Sequence, residues 1–271
     1  MGRLNVLTRF GNAWSASSAA YAAAVLDAAL IHAVHAATGD GAVFQTSTLE
    51  ALLHGAYQGD VTVAELARRG DLGVGTFDAL DGELIAVDGI VYRAAVDGSV
   101  APAGPDRRCP FAVITRFVSR VERAVGALDF DALLAALDRD VPRTGVCSAV
   151  RLDGHFDHLR LRSVPAQRPP WRTLDEVLAG QRVFAASDVE GTVVGFRFLP
   201  GAAGLDIPGF HLHFIRADRR FGGHVLSCRT RAVRARLDFD ADLDLELPPG
   251  VQLPPSDSEL EGLARLESDH P

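Results

Sequence analysis

The period of the apolar positions changes along the chain, and each change predicts an element. From Ala19 to Ala37 alanine dominates, broken by Asp27, His32 and His35, and a helix is expected to end near Gly39-Asp40-Gly41. Residues 42–46 read as a strand, and Ser47 or Thr48 can cap a short helix carrying Leu49, Leu52 and Leu53. "TVAELARRG" has Thr62 as N-cap, Glu65 three residues on to complete a capping box, and Gly70 as the stop. "LIAVDGIVYRAAVDGSV" places two Val-Asp-Gly turns between apolar or alternating runs, which predicts a β-meander. "CPFAVITRFV" reads as a further strand, and residues 130–141 as a helix with Leu133, Leu134 and Leu137 on one face.

The pattern restarts near Val146. "SAVRLDGHFDHLRLRSV" reads as two strands about a turn at Asp153-Gly154, and "TLDEVLAGQ" as a short helix capped by Thr173. "GTVVGFRFL", "GFHLHFI" and "GGHVLSCRTRAV" read as three successive strands. From Leu237 to Leu247 apolar and acidic residues alternate; the run lacks the central glycine and closing glutamate of a calcium loop, so a strand with one solvated face is expected. "DSELEGLARLES" reads as a last helix. The expected fold class is α+β: two related halves of helices and mostly antiparallel or mixed sheets, plus an additional N-terminal helix. The expected division is an N-terminal helical extension over 1–41 and one domain over 42–271, with halves of about 42–145 and 146–271.

Composition narrows the function classes. Hydrophobic residues make up 48% and charged residues 23% of the 271, ordinary for a soluble chain with a sizeable core. A formal net charge of −8 argues against nucleic acid, whose phosphates need a basic surface. Cys109, Cys147 and Cys228 form no CxxC pair, so neither a disulfide framework nor a thiolate zinc site is expected. The alanine-rich run is too weakly apolar for a membrane span, no secretory leader is visible, and a cytoplasmic protein is expected.

Histidine is the residue type that points to chemistry. In "FHLHFI", period two places His211, His213 and Ile215 on one face of a strand and Phe210, Leu212 and Phe214 on the other. The two imidazoles then stand about 6.5–7 Å apart at Cα, within reach of one ion. If the chain folds back symmetrically about Asp218 and Arg219, His213 lies opposite His224, and opposite residues of an antiparallel pair share a face. Three convergent imidazoles with open positions are the pattern of a catalytic zinc site, although a bare HxH is more often packing or surface. His32 and His35 read as a solvated pair on a helix, and His155 and His158 as polar residues flanking a turn.

These residues sit in segments that resemble the α-acetolactate decarboxylase family from about residue 42 to the C-terminus. The segments are "FQTSTLEALLHGAYQGDVTVAELARRGDLGVGTFDALDGELIAVDGIVY", "CPFAVITRF", "RLRSVPAQRPPW", "GTVVGFRFLP", "IPGFHLHFI" and "DRRFGGHVL". The resemblance implies a metal-dependent carboxy-lyase that converts 2-acetolactate to acetoin and carbon dioxide, with a mixed α/β fold and a homodimeric state. It implies zinc on His211, His213 and His224. It places the family's active-site threonine and glutamate on Thr76 and Glu83 in "GTFDALDGE", and its substrate-facing arginine on Arg162, with Arg160 on the same strand face as the alternative. A C-terminal glutamate falls on Glu267, with Glu259 or Glu261 as alternatives. In such an enzyme a Lewis-acidic metal chelated by the hydroxyl and ketone oxygens accepts the electrons left by carbon dioxide as an enediolate. A carboxyl group, Glu83 or Glu267, then supplies the proton, with direct ligation of the metal as the other role open to either, and Arg162 grips the substrate carboxylate in a bidentate fork. Two readings stand beside this one: a metal-dependent lyase for another 2-hydroxy-3-keto acid, and a metal-binding protein in which the histidines are only a staple.

Overall fold

The structure is a computed structural model, and it describes residues 3–5, 42–142, 145–202, 204–206, 208–240 and 242–249. Strands hold 51% of these residues and helices 16%, so the fold is mainly β and not the balanced α+β that the sequence predicts. The reason is length. The helices are short pieces, from five residues in α1 (Leu49–Leu53) and α4 (Leu174–Leu178) to nine in α3 (Phe130–Asp138), with α2 at Val63–Arg69 between them. The period-two runs of the second half, in contrast, join into strands of 17 to 19 residues. Of the N-terminal extension only β1 (Arg3–Asn5), a strand, is described; the alanine-rich helix with His32 and His35 and the last predicted helix lie outside the described residues. No helix among the described residues is long and apolar enough to cross a membrane.

The first sheet has eight strands in the order β1-β15-β2-β9-β4-β5-β6-β7. They are β2 (Val43–Thr46), β4 (Leu72–Thr76), β5 (Glu83–Val87), β6 (Ile90–Ala94), β7 (Val100–Pro102), β9 (Phe111–Thr115) and β15 (Leu243–Glu246), with β1 at the edge. The β15–β2 pair is parallel and the other pairs of this sheet are antiparallel. The two Val-Asp-Gly turns close the β5-β6-β7 meander as expected. A short ribbon of β3 (Val61–Thr62) and β8 (Arg108–Cys109) stands beside the sheet. The second sheet runs β10-β14-β11-β12-β13, comprising β10 (Val121–Val125), β11 (Cys147–Ser163), β12 (Arg182–Phe198), β13 (Gly209–Arg216) and β14 (Gly222–Asp240). β13 also turns back onto the start of β14, so β14, β11, β12 and β13 close on themselves at that end.

Local signals set the short elements. The Thr48 hydroxyl accepts from Ala51 N at 3.1 Å and caps α1. In α2 the Thr62 hydroxyl accepts from Glu65 N at 3.2 Å, while the Glu65 carboxylate accepts from Thr62 N at 2.8 Å. Two readings fail where tertiary contacts override turn propensity. The predicted turn at Asp153-Gly154 does not form, because β11 runs through it as one strand. Gly154 pairs with Gly191 on one side and Val233 on the other, and a Cβ there would come within 2.3 Å of the Ala232 carbonyl; the glycine serves close backbone approach in the middle of a strand. The alternating run from Leu237 to Leu247 is divided too: β14 keeps its first part in the second sheet, and β15 carries the rest to the first.

Three apolar clusters arrange the layers. One face of the first sheet, with Leu84, Ala86 and Ile114, packs on Val63 and Leu66 of α2. The opposite face, with Val74, Ile85 and Phe111, meets Val194, Phe196 and Ile215 of the second sheet. The far side of the second sheet, with Leu212, Phe214 and Leu161, packs on Leu133 and Leu137 of α3. On β13, therefore, Leu212 and Phe214 face away from the first sheet, while His211 and His213 share the side of Ile215, between the sheets. By the same alternation Glu83 shares the side of Ile85 on β5 and faces them.

Candidate active site

The β13–β14 hairpin pairs His213 directly with His224, the register that a fold-back about Asp218 and Arg219 predicts. β11 pairs with β14 on its other side and sets Arg162 opposite His224. Arg162, His224 and His213 are therefore neighbours across three strands, and His211 is two residues along from His213 on the same face. The three histidines are 7%, 0% and 2% exposed in chain order, which takes them out of the class of surface imidazoles. One nitrogen from each lies within 4.8 Å of those of the others, and ring centroids are 5.1–5.3 Å apart.

The outer nitrogens define the rings. His213 Nδ1 lies 2.8 Å from the Leu84 carbonyl oxygen, and His211 Nδ1 lies 3.3 Å from both carboxylate oxygens of Asp206. Those oxygens accept, so Nδ1 donates in each case, and in the neutral ring it is Nε2 that carries the lone pair. The two Nε2 atoms face each other at 3.3 Å, a spacing that either a shared proton or a metal ion between them satisfies. Two nitrogens held at about 2.0–2.1 Å on one tetrahedral zinc are about 3.3–3.4 Å apart. The trio thus fits a metal ion in spacing, and His211 and His213 as neutral rings fit it in donor state. Glu83 Oε2 lies 3.7 Å from His213 Nε2, close enough to serve the same ion or a substrate on it.

Thr76, Glu83, Arg162, His211 and His224 line one pocket, whose wall includes Leu80, Phe111 and Leu174. Thr76 and Glu83 pair in register at the ends of β4 and β5, and the loop between them is pinned from several sides. The Thr76 hydroxyl donates to the Gly82 carbonyl at 2.9 Å. Asp78 accepts from Gly59 N at 2.7 Å, and the Ala79 carbonyl accepts from Gln167 N at 2.7 Å. These contacts offset two left-handed non-glycine residues, Ala79 (φ 60°) and Leu80 (φ 55°), each costing on the order of 1–3 kcal/mol. Asp81, two residues before Glu83, is held by Arg93 and, at 2.6 Å, by Arg107. Burial works to raise the Asp81 carboxyl, but the two guanidinia outweigh it and hold the group below the usual carboxylate range.

The structure brings together Thr76, Glu83, Arg162 and the three histidines. Arg160 is on the same strand, but a register shift after it separates it from Arg162, and it does not line the pocket. Glu267, Glu259 and Glu261 lie outside the described residues. His155 and His158 are on β11 with no turn between them, near Asp188 (3.2 Å) and Ser187 (3.4 Å) at the surface. Sequence reasoning passed over Asp206 and Phe111. Phe111 stacks on His211 with centroids 6.2 Å apart and planes 12° from parallel. It reads as any core phenylalanine, and Asp206 as any loop aspartate.

A profile of the alpha-acetolactate decarboxylase family matches residues 43–253. The alpha-acetolactate decarboxylase of Methylococcus capsulatus is 42% identical over 210 residues, covering 77% of this chain and 81% of its own. That of Bacillus subtilis is 34% identical over 210 residues, covering 76% and 81%. The crystal structure of the alpha-acetolactate decarboxylase from Bacillus subtilis strain 168 superimposes with a TM-score of 0.80 at 31% identity, covering 84% of this chain and 100% of that one.

Proposed function

The chain belongs to the alpha-acetolactate decarboxylase family, lyases that decarboxylate acetolactate to acetoin, and on that premise we propose which of its residues carry the reaction. Membership sets aside the reading of the chain as a non-catalytic metal-binding protein. The observation that carries the proposal is the convergence of three buried imidazoles, with two Nε2 atoms facing each other at 3.3 Å, between two sheets. His211, His213 and His224 hold zinc, which when bound supplies Lewis acidity toward the substrate's oxygens. Three histidines leave coordination positions open for a substrate, which a structural four-ligand site does not.

The protein groups around that point divide into grip and proton. Arg162 takes the substrate carboxylate; its planar fork matches two oxygens, and its burial (7% exposed) excludes competing water. Decarboxylation leaves an electron pair on carbon, and the new C–H bond needs an acid. Glu83 stands on the facing strand and delivers that proton from its carboxyl oxygen. Thr76 fixes the backbone at Gly82, immediately before Glu83, and so aims the acid. Glu267 is the second carboxylate of this scheme, and the working form is a homodimer; light scattering on the purified protein tests the latter.

The central experiment is acetoin formation from acetolactate by purified protein, paired with metal analysis. Activity should vanish on chelation and return with zinc, at one ion per chain. Turnover that survives complete chelation refutes the zinc assignment.

A further inference from the structure

Several observations meet at Asp206, to which neither strand periodicity nor the family resemblance points. The residue is 0% exposed although it sits in the connection between β12 and β13. Both of its oxygens lie 3.3 Å from His211 Nδ1. Its connection is tied from outside: the neighbouring Leu205 carbonyl accepts from Leu49 N at 3.0 Å and from Gln45 Nε2 at 2.7 Å. Gln45 is itself fully buried in β2, a position that an apolar side chain would fill at lower cost. Phe111 covers the face of the same imidazole. The ring of His211 is thus held in its plane by stacking and at its outer nitrogen by a carboxylate.

His213 offers an internal contrast. Its outer nitrogen meets a neutral backbone oxygen, Leu84 O, at 2.8 Å. The two ligands on one strand therefore have outer partners of different charge. A carboxylate behind a ligating imidazole fixes its tautomer and raises its basicity more than a carbonyl does.

We infer that Asp206 is a positioning residue that keeps the proton on His211 Nδ1, holds the Nε2 lone pair on the convergence point and strengthens His211 as a zinc donor, with Gln45 anchoring its loop. This rests on the trio being the zinc ligands, as proposed above. The test is zinc affinity, measured by chelator competition on metal-free protein, alongside the thermal unfolding midpoint of the metal-free forms. Asp206→Asn keeps the volume and a hydrogen-bonding oxygen but removes the charge. It should weaken zinc about 10–100-fold while leaving the metal-free midpoint at the wild-type value. Asp206→Ala should weaken it further; if that variant does not fold, Asp206→Asn decides alone. Wild-type zinc affinity in Asp206→Asn overturns the inference while leaving the trio intact. So does an affinity loss matched by a fall in the metal-free midpoint, which would make Asp206 merely structural. A wild-type chain that takes up no zinc overturns the trio and this inference together.

Discussion

One sheet carries two sets of histidines, and they differ in everything but residue type. His211, His213 and His224 lie where β11, β14 and β13 close on themselves and the first sheet covers them. His155 and His158 lie further along β11, on the outward ribbon that it makes with β12, next to Asp188 and Ser187. In the first set the outer nitrogens of His211 and His213 are engaged by buried oxygens, so their inner nitrogens are fixed in direction. In the second set water competes for every contact. Chemistry follows from the enclosed oxygens behind the rings rather than from the imidazoles as such.

The largest expected effect comes from His213→Ala, which should abolish both zinc retention and acetoin formation; a variant that keeps its zinc would dissolve the contrast. Glu83→Gln should lower kcat about 10²–10⁴-fold with zinc retained, the usual span for removing a general acid. Loss of zinc along with activity would recast Glu83 as a ligand. Arg162→Ala should cost about 2–5 kcal/mol in kcat/KM, as expected for truncating a buried charge that grips a partner, again with metal content unchanged.

On the outer ribbon the effects shrink. Arg231 and His155, hydrogen-bonded to Asp188, hold its carboxyl below the usual range. A depressed folded value stabilises the protein above the unfolded value of about 3.9 and is lost as pH falls through the folded one. Unfolding midpoints of wild type and Asp188→Asn should therefore differ slightly at neutral pH and converge in acid; a gap that widened in acid would contradict the pairing. His158→Ala should leave activity and zinc content untouched and shift stability by no more than about 0.5 kcal/mol.

What could be read in the sequence was what the chain decides locally. The capping box of Thr62 and Glu65 involves residues three apart, and the register of His213 with His224 follows from a short turn between matched runs. What could not be read depends on distant neighbours. Gly154 looks like a turn until Gly191 and Val233 are known to flank it. Arg162 is an exposed strand cation on periodicity alone and enters the pocket only because β14 sets it opposite His224. Asp206 has no periodic context, and its partner becomes apparent only once the β12–β13 connection folds over His211. The excess of strand over helix was hidden because the helices are short and because the first half of β12, Arg182 to Glu190, was not read as a strand.

The position of β15 bears on how the molecule can be made and cut. β2 hydrogen-bonds to β9 on one side and, on the other, only to a strand supplied at the far end of the described chain. Until that strand emerges from the ribosome, the first sheet shows an open edge of buried-type residues, Val43 to Thr46, ready to pair with another nascent copy. Shortened versions that stop after β14 should precipitate instead of yielding a smaller working enzyme.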